Sequence, residues 1–278
     1  MILHRTPLPK CTLMIATYNW PDALYLCLMS VLSQSHLPDE IIIADDGSTA
    51  STKDLIDKIS LQTPVPVVHI WHPDKNFQLS SIRNKAILAA QYEYIIQIDG
   101  DIILNKYFIY DHLHMAAKKS FICGSRVSLT SKISTALLKH KNYTPKLKDI
   151  SLGYIMNAIR LPFFSPLLTN RYKRKQLHVV RGCNMSFWRE DLISINGYNE
   201  DITGWGAEDS EIAIRLMNLS IKKRFLKFAG IMFHIYHKEN SRSSEKRNYD
   251  ILNQTIKENK TWINNGIIKQ PDEHTTGD

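Results

Sequence analysis

The sequence predicts an α/β fold in which a mostly parallel sheet carries helices on both faces. Three observations support this. Short apolar runs recur at residues 12–16, 41–44, 65–71 and 94–98, helix-periodic segments separate them, and three of the runs end in polar clusters. Strands and helices alternating at this spacing form parallel βαβ units, whose ligands bind beyond the carboxyl ends of the strands.

Each element has its own signal. Thr12-Leu13-Met14-Ile15-Ala16 reads as a buried strand leading to Thr17-Tyr18-Asn19. Residues 22–32 have helical periodicity through Leu24, Leu28, Val31 and Leu32, with Pro21 at the first turn. Ile41-Ile42-Ile43-Ala44 is a strand before Asp45-Asp46-Gly47-Ser48, and a helix follows over 51–60. Residues 65–71 form a third strand, and residues 80–91 a helix with Ile82, Ala86, Ile87 and Ala90 on one face. Tyr94-Ile95-Ile96-Gln97-Ile98 then delivers Asp99-Gly100-Asp101. The pattern resumes with His178-Val179-Val180 and Asn184-Met185-Ser186-Phe187-Trp188. A helix is expected from about Glu208, with Ile212, Leu216 and Leu219 inside, then a last strand over 227–233 ending at His234-Ile235-Tyr236-His237. Residues 249–262 are expected to form a docking helix.

Composition narrows the partners. At 278 residues and 44% hydrophobic content, the chain can bury a sizeable core. A net charge of +8 and a pI near 9.2 suit an anionic partner: a nucleoside diphosphate, nucleic acid or anionic lipid. Cys11, Cys27, Cys123 and Cys183 have neither zinc nor redox spacing, so a reducing, cytoplasmic setting is expected. Met1–Pro7 does not read as a signal peptide, and no stretch is long and apolar enough to span a bilayer. Residues 130–176 differ from the rest. There Lys139, Lys141, Lys146, Lys148, Arg160, Arg171, Lys173, Arg174 and Lys175 face one acid, Asp149, around the apolar segment 155–168. This stretch reads either as a contact with an anionic inner leaflet or as a solvated loop over a cleft.

The polar clusters carry the chemistry. Asp99 and Asp101, at i and i+2 after a strand, share a face and repel unless a cation lies between them. A divalent ion completed by phosphate oxygens meets that need, and a solvated Asp-Gly-Asp turn is the plainer alternative. Asp45 and Asp46 can accept from a base N–H or ribose hydroxyls, or can cap the next helix, with Gly47 permitting the turn. Arg83 can reach a phosphate or simply stand in solvent. Glu208 and Asp209 at a helix N-terminus stay ionised with the dipole, so Asp209 can act as a general base. First-turn stabilisation alone would leave Gly204-Trp205-Gly206 unexplained, whereas Trp205 offers a platform for a sugar's apolar face. His234 and His237 can each bind a divalent ion as neutral imidazole, and strand alternation would put them on opposite faces, so one ligand is expected.

Thr12-Leu13-Met14-Ile15-Ala16-Thr17-Tyr18-Asn19, Ser30-Val31-Leu32-Ser33-Gln34-Ser35, Asp45-Asp46-Gly47-Ser48 and Asp99-Gly100-Asp101 resemble glycosyltransferase family 2. Arg181-Gly182-Cys183-Asn184-Met185-Ser186-Phe187, Gly197-Tyr198-Asn199-Glu200 and Gly204-Trp205-Gly206-Ala207-Glu208-Asp209 resemble the C-terminal region of galactosyltransferases and bacterial chondroitin-polymerase-type domains. The resemblance implies a GT-A fold: a Rossmann-like, mostly parallel sheet flanked by helices, as a single catalytic domain with a C-terminal acceptor-binding half. The expected divisions are 1–128 for the nucleotide sugar, 129–177 for the basic insert, 178–240 for the acceptor and 241–278 for a polar tail.

The implied reaction is an inverting, metal-dependent transfer from a UDP-sugar to a glycan or lipid-linked glycan, in bacterial surface polysaccharide synthesis. The enzyme would be cytoplasmic, or peripheral on the inner face of the membrane. By position, Asp46 would hold the base, with Thr17, Asn19 and Asp45 beside it. Asp99 and Gly100 would face the ribose or the metal, and Arg83 the phosphates. Asp101 with His234 or His237 would hold Mn²⁺ or Mg²⁺; Lys238-Glu239 favours His237 and the strand end favours His234. Asp209 would be the base, with Glu208 and Trp205 on the acceptor. Ala207 departs from the glycine usual in the motif, as do Ser210 and Glu211 from its further acids, and the insert matches nothing in the pattern. A non-catalytic nucleotide- or glycan-binding protein is the alternative. A nucleotidyltransferase would need a glycine- and lysine-rich phosphate loop, which is not found. The acidic rim argues against nucleic acid.

Overall fold

The computed structural model describes residues 7–142, 144–172, 176, 180–238 and 241–269. Lys173, Arg174 and Lys175 of the insert, His178, Val179 and Glu239 lie outside them. Along the chain the elements are β1 (Cys11–Thr17), α1 (Pro21–Leu32), β2 (Glu40–Asp45), α2 (Ala50–Ser60), β3 (Val67–Trp71), α3 (Leu79–Ala89), β4 (Tyr94–Asp99) and β5 (Ile102–Leu104). There follow α4 (Phe108–Met115), β6 (Ser120–Gly124), β7 (Val127–Ser128), α5 (Ser131–Lys139), α6 (Ile155–Ala158), α7 (Ser165–Thr169), β8 (Met185–Trp188) and α8 (Arg189–Ser194). The last are α9 (Glu208–Asn218), β9 (Lys222–Leu226), β10 (Met232–His234) and α10 (Glu245–Lys257).

The main sheet runs β3-β2-β1-β4-β8-β6-β9. Strands β3, β2, β1 and β4 are parallel, β8 is antiparallel to both its neighbours, and β9 pairs parallel to β6. β1, β2 and most of β4 are buried on both faces, as near-continuous apolar strands require. Alternate side chains feed separate cores: Leu13, Ile15, Ile41, Ile43, Ile96 and Ile98 face α1, α2 and α4, while Met14, Ile42, Ala44 and Ile95 face α3, α8 and α9. The register pairs Thr17 with Asp45 and Ala16 with Asp99, so three strands end level. Sequence order reverses between β1 and β4, which opens the crevice where such sheets bind ligands.

The strand expected over 227–233 is instead a turn following β9 and the first two residues of β10. Phe228 and Gly230 have φ of 60° and 57°, a left-handed conformation no strand sustains. The turn carries the chain out of the main sheet into a second one, ordered β5-β10-β7. Residues 150–158 of the insert rest on that sheet: Ile150, Tyr154, Ile155 and Ala158 pack with Val127, Ile231, Phe233 and Ile235. The C-terminal helix starts four residues earlier than expected and buttresses α9, with Leu252 against Ala207 and Ile214. All four cysteines are buried thiols. No helix among the described residues is long and apolar enough to cross a membrane.

The axis of α9 is fixed by a fully buried ion pair. Arg215 binds Glu211 at 2.7 Å and donates to the carbonyls of Ile195 and Gly197, while Thr255 of α10 donates to Glu211. Arg215→Met strands the Glu211 charge and should cost about 3–5 kcal/mol in urea denaturation, and adding Glu211→Leu should recover most of the loss. A single-variant loss below about 1 kcal/mol would show that the pair does not hold the helix.

Candidate active site

At the rim, the β1–α1 turn and the β2–α2 turn are stitched together. Asn19, with φ of 44°, donates its N–H to Ser48 Oγ and accepts from the Thr49 N–H, and the Thr17 carbonyl accepts from Asp46. Asp45 accepts from the Ser48 N–H at 2.8 Å and lies 2.9 Å from His69 Nε2. Burial opposes ionisation of Asp45, but these bonds outweigh it and hold the carboxyl below its ordinary value. Asp45 therefore organises the turn ahead of α2; the cap position itself is Thr49, with no side-chain capping bond. Gly47 has φ of 96°, and a Cβ there would lie 2.6 Å from Asp74 Cα.

Asp46 is placed by partners that sequence reasoning did not single out. Its Oδ1 lies 2.7 Å from His72 Nε2, and its Oδ2 accepts from the Gln78 N–H. His72 Nδ1 lies 3.1 Å from Lys85 Nζ. An ammonium only donates, so Nδ1 accepts and Nε2 carries the proton given to Asp46. Burial still raises the Asp46 carboxyl above its ordinary value. Tyr18, half exposed beside this turn, donates to Asp74 at 2.8 Å. No local motif marks His72 or Lys85; only the fold brings them to the rim, whereas Tyr18 lies within the Thr17-Tyr18-Asn19 cluster.

Arg83 does not stand in solvent, because α3 turns it inward toward the acids of the rim. It is 1% exposed, with Nη2 3.1 Å from Asp99 and Nη1 2.9 Å from Asp209 and 3.9 Å from Glu208. Its face covers the Tyr198 ring at 5.2 Å. Burial works against the guanidinium charge, but Tyr198 and the three carboxylates raise its pKa, so it stays cationic. Three acids on one cation cannot all ionise cheaply. Burial pushes Asp99 up to about 6 against the pull of Arg83, with Asp101 and Asp209 adding to the rise. Burial and the Asp209 charge push Glu208 up to about 8, so Glu208 keeps its proton at neutral pH.

Asp209 also depends on Gly182, where a Cβ would lie 2.0 Å from Asp209 Oδ2. Gly182 is held in turn by Gln97, whose Oε1 accepts from Tyr198. Ala207 caps α9 with φ of 76°, a left-handed position that glycine would occupy without strain, which is the physical reason for the motif's usual residue. Asn248 of α10 donates to the carbonyls of Thr203 and Trp205, and Arg242 covers the partly exposed Trp205 ring at 4.7 Å. The C-terminal helix therefore positions the Gly204-Trp205-Gly206 loop.

Both histidines turn to Asp101, which corrects the expectation that they lie on opposite faces. β10 ends at His234, so strand alternation does not reach His237. Asp101 Oδ2 lies 3.6 Å from His234 Nε2 and 3.2 Å from His237 Nε2, and one donor atom from each residue fits within a 4.8 Å cluster. The bond to Asp101 lifts His237 to about 9 against partial burial, whereas burial lowers His234 below its ordinary value. Asp101 Oδ1 is buried without a hydrogen-bond partner among the described residues. An unsatisfied carboxylate oxygen beside two imidazoles fits a divalent transition ion with open positions, and suits Mn²⁺ better than Mg²⁺. Gly100, with its N–H on the Ala16 carbonyl, lets this turn lie against Thr17.

The family model described as glycosyl transferase family 2 matches residues 12–195. The chain belongs to this family. A second model, the N-terminal domain of galactosyltransferase, matches residues 168–238. Chondroitin synthase of Escherichia coli is 23% identical over 219 residues, 74% of this chain but 32% of that protein. The chain thus spans about a third of that curated relative. Among solved structures, GalNAc-T7 with UDP, GalNAc and Mn²⁺ superposes with a TM-score of 0.65 at 16% identity, covering 90% of this chain and 48% of that one. The mannosyltransferase PcManGT from Pyrobaculum calidifontis, in complex with GDP-Man and Mn²⁺, gives 0.59 at 16% identity, with 84% and 59% covered. The fold is of the GT-A type seen in these solved glycosyltransferases.

The raised Glu208 carboxyl has a consequence for stability. Between its ordinary value of 4.5 and about 8 the folded chain holds a proton that the unfolded chain has released. Stability should therefore fall as pH rises through that window, by at most about 1.4 kcal/mol per pH unit from this group, and level off above it. Urea denaturation across pH 5–9 should show a shallower slope for Glu208→Gln; an unchanged slope would remove Glu208 as its source.

Proposed function

We propose that the chain is an inverting, metal-dependent glycosyltransferase that moves a sugar from a UDP-sugar to a hydroxyl of a glycan or lipid-linked glycan, in bacterial surface polysaccharide synthesis. The observation that carries this reading is the convergence of Asp101, His234 and His237 at the rim that also holds the Arg83–Asp209 pair. A lipid-linked acceptor would place the enzyme peripherally on the inner face of the membrane.

Asp46, kept an acceptor by His72 and Gln78, receives an N–H of the base, while Thr17, Asn19 and Asp45 shape the turn around it. Asp101, His234 and His237 would hold Mn²⁺, with Mg²⁺ the less suited ion, and the ion would supply a counter-charge for the leaving diphosphate. Asp99 and Gly100 line the donor side. The acceptor sugar lies on Trp205, and Glu208, protonated at neutral pH, donates a hydrogen bond to it. Asp209, held by Arg83, takes the acceptor hydroxyl's proton as that oxygen attacks the anomeric carbon from the face opposite the diphosphate. One displacement with one base inverts the configuration. The alternative, a binding protein without turnover, gives no reason for the base and the metal cluster to share one rim.

Asp209→Asn should lower UDP release from a UDP-sugar by about 10²–10⁴-fold while UDP affinity stays within about twofold. Retained turnover would remove Asp209 as the base. Titration followed by the spectrum of free Mn²⁺ should show binding that Asp101→Ala weakens by at least about tenfold, the lower range for losing a ligand or its support. Equal Mn²⁺ binding by the variant would sink the metal assignment.

A further inference from the structure

We propose that the outward face of residues 146–171 is a docking surface for an anionic lipid bilayer. Its purpose, though not its evidence, rests on the lipid-linked acceptor of the preceding reading. Residues 130–176 contain ten Lys and Arg against one Asp, so this stretch carries the whole of the chain's +8 and the remainder is near neutral. Lys132, Lys139, Lys146, Lys148 and Arg171 are exposed. The one acid, Asp149, is turned back onto the Lys146 N–H. Arg160 is spent inside the fold, bonded through both Nε and Nη2 to Asp111.

The apolar side chains of the insert divide into two sets. Ile150, Tyr154, Ile155 and Ala158 close the core beneath the small sheet. The Leu161 N–H donates to the Phe228 carbonyl and Lys227 donates to the Met156 carbonyl, which ties the segment to the β9–β10 turn. The second set faces out: Phe163 is 89% exposed, Leu152 87%, Leu167 68%, Phe164 57% and Met156 55%. Large apolar side chains left exposed this densely along one segment point to an interaction site. A second protein surface would use the apolar groups without calling for charge of one sign. Nucleic acid would use the charge and leave the aliphatic groups in water. An anionic bilayer takes both, bases at the headgroups and Phe and Leu at the acyl boundary. The small sheet supporting the insert also carries His234, so the surface and the candidate metal cluster are fixed to one another.

Flotation of the full chain with phosphatidylcholine vesicles, with and without phosphatidylglycerol, tests this without nucleotide. We expect co-flotation with the phosphatidylglycerol vesicles at low salt, and its loss with neutral vesicles or at high salt. Lys146→Gln with Lys148→Gln should weaken it about 25-fold, at about fivefold per base. Phe163→Ser with Phe164→Ser should weaken it at least about tenfold, and Leu152→Ser about fivefold. Thermal melts and UDP titration of the same variants report whether the fold is intact. No co-flotation of the unmodified chain, equal flotation with neutral vesicles, or undiminished binding by these variants would overturn the proposal. So would a dimer in sedimentation velocity that Phe163→Ser with Phe164→Ser abolishes, which would assign the patch to a second copy. Failure of UDP binding with flotation intact would count against the glycosyltransfer reading alone.

Discussion

The Arg83 guanidinium is the constraint on which the rest of the site depends. It is buried, it cannot lose its charge, and it is shared among Asp99 from β4 and Glu208 and Asp209 from α9. Without it, three partly buried carboxylates would meet with no counter-charge. With it, the strand that ends in the Asp-Gly-Asp turn and the helix that begins with Glu-Asp are drawn to one point, and the fold holds a proton on Glu208 at neutral pH. The outer parts serve this pairing. Gly182 makes room for Asp209, Tyr198 lies under the guanidinium, and the Glu211–Arg215 pair fixes the helix that brings the acids in.

Much of the scaffold was legible in the sequence because the information is local. Apolar runs ending in Thr17, Asp45 and Asp99 gave the parallel strands, and their shared register made one rim of three clusters. The last strand was misread for an equally local reason: the apolar stretch across residues 227–233 hides left-handed backbone at Phe228 and Gly230. The polar start of β9, Lys222-Lys223-Arg224, gave no strand signal at all.

What the sequence hid is long-range. Arg83 and Asp209 are 126 residues apart, and nothing near Arg83 says that it faces acids rather than water. His72 and Lys85 come to Asp46 only because α3 packs beside β3. The two histidines were placed on opposite faces by strand alternation, which stops one turn too soon to apply to His237. The C-terminal helix was legible as a helix, but its bonds to the carbonyls of Thr203 and Trp205, which set the Gly204-Trp205-Gly206 loop, were not.

The account requires one rim to take a nucleoside diphosphate together with a divalent ion. Calorimetric titration of UDP, with CDP and GDP as controls, in Mn²⁺ and again after chelation, tests that most directly. A carboxylate at Asp46 accepts from the ring N–H of uracil but repels the ring lone pair of cytosine, so UDP should bind in Mn²⁺, CDP more weakly, and both poorly after chelation. Guanine also offers a ring N–H, so preference over GDP tests the fit of the pocket around Asp46. Equal affinities with and without the ion, or no binding of any nucleotide in either condition, would contradict the account.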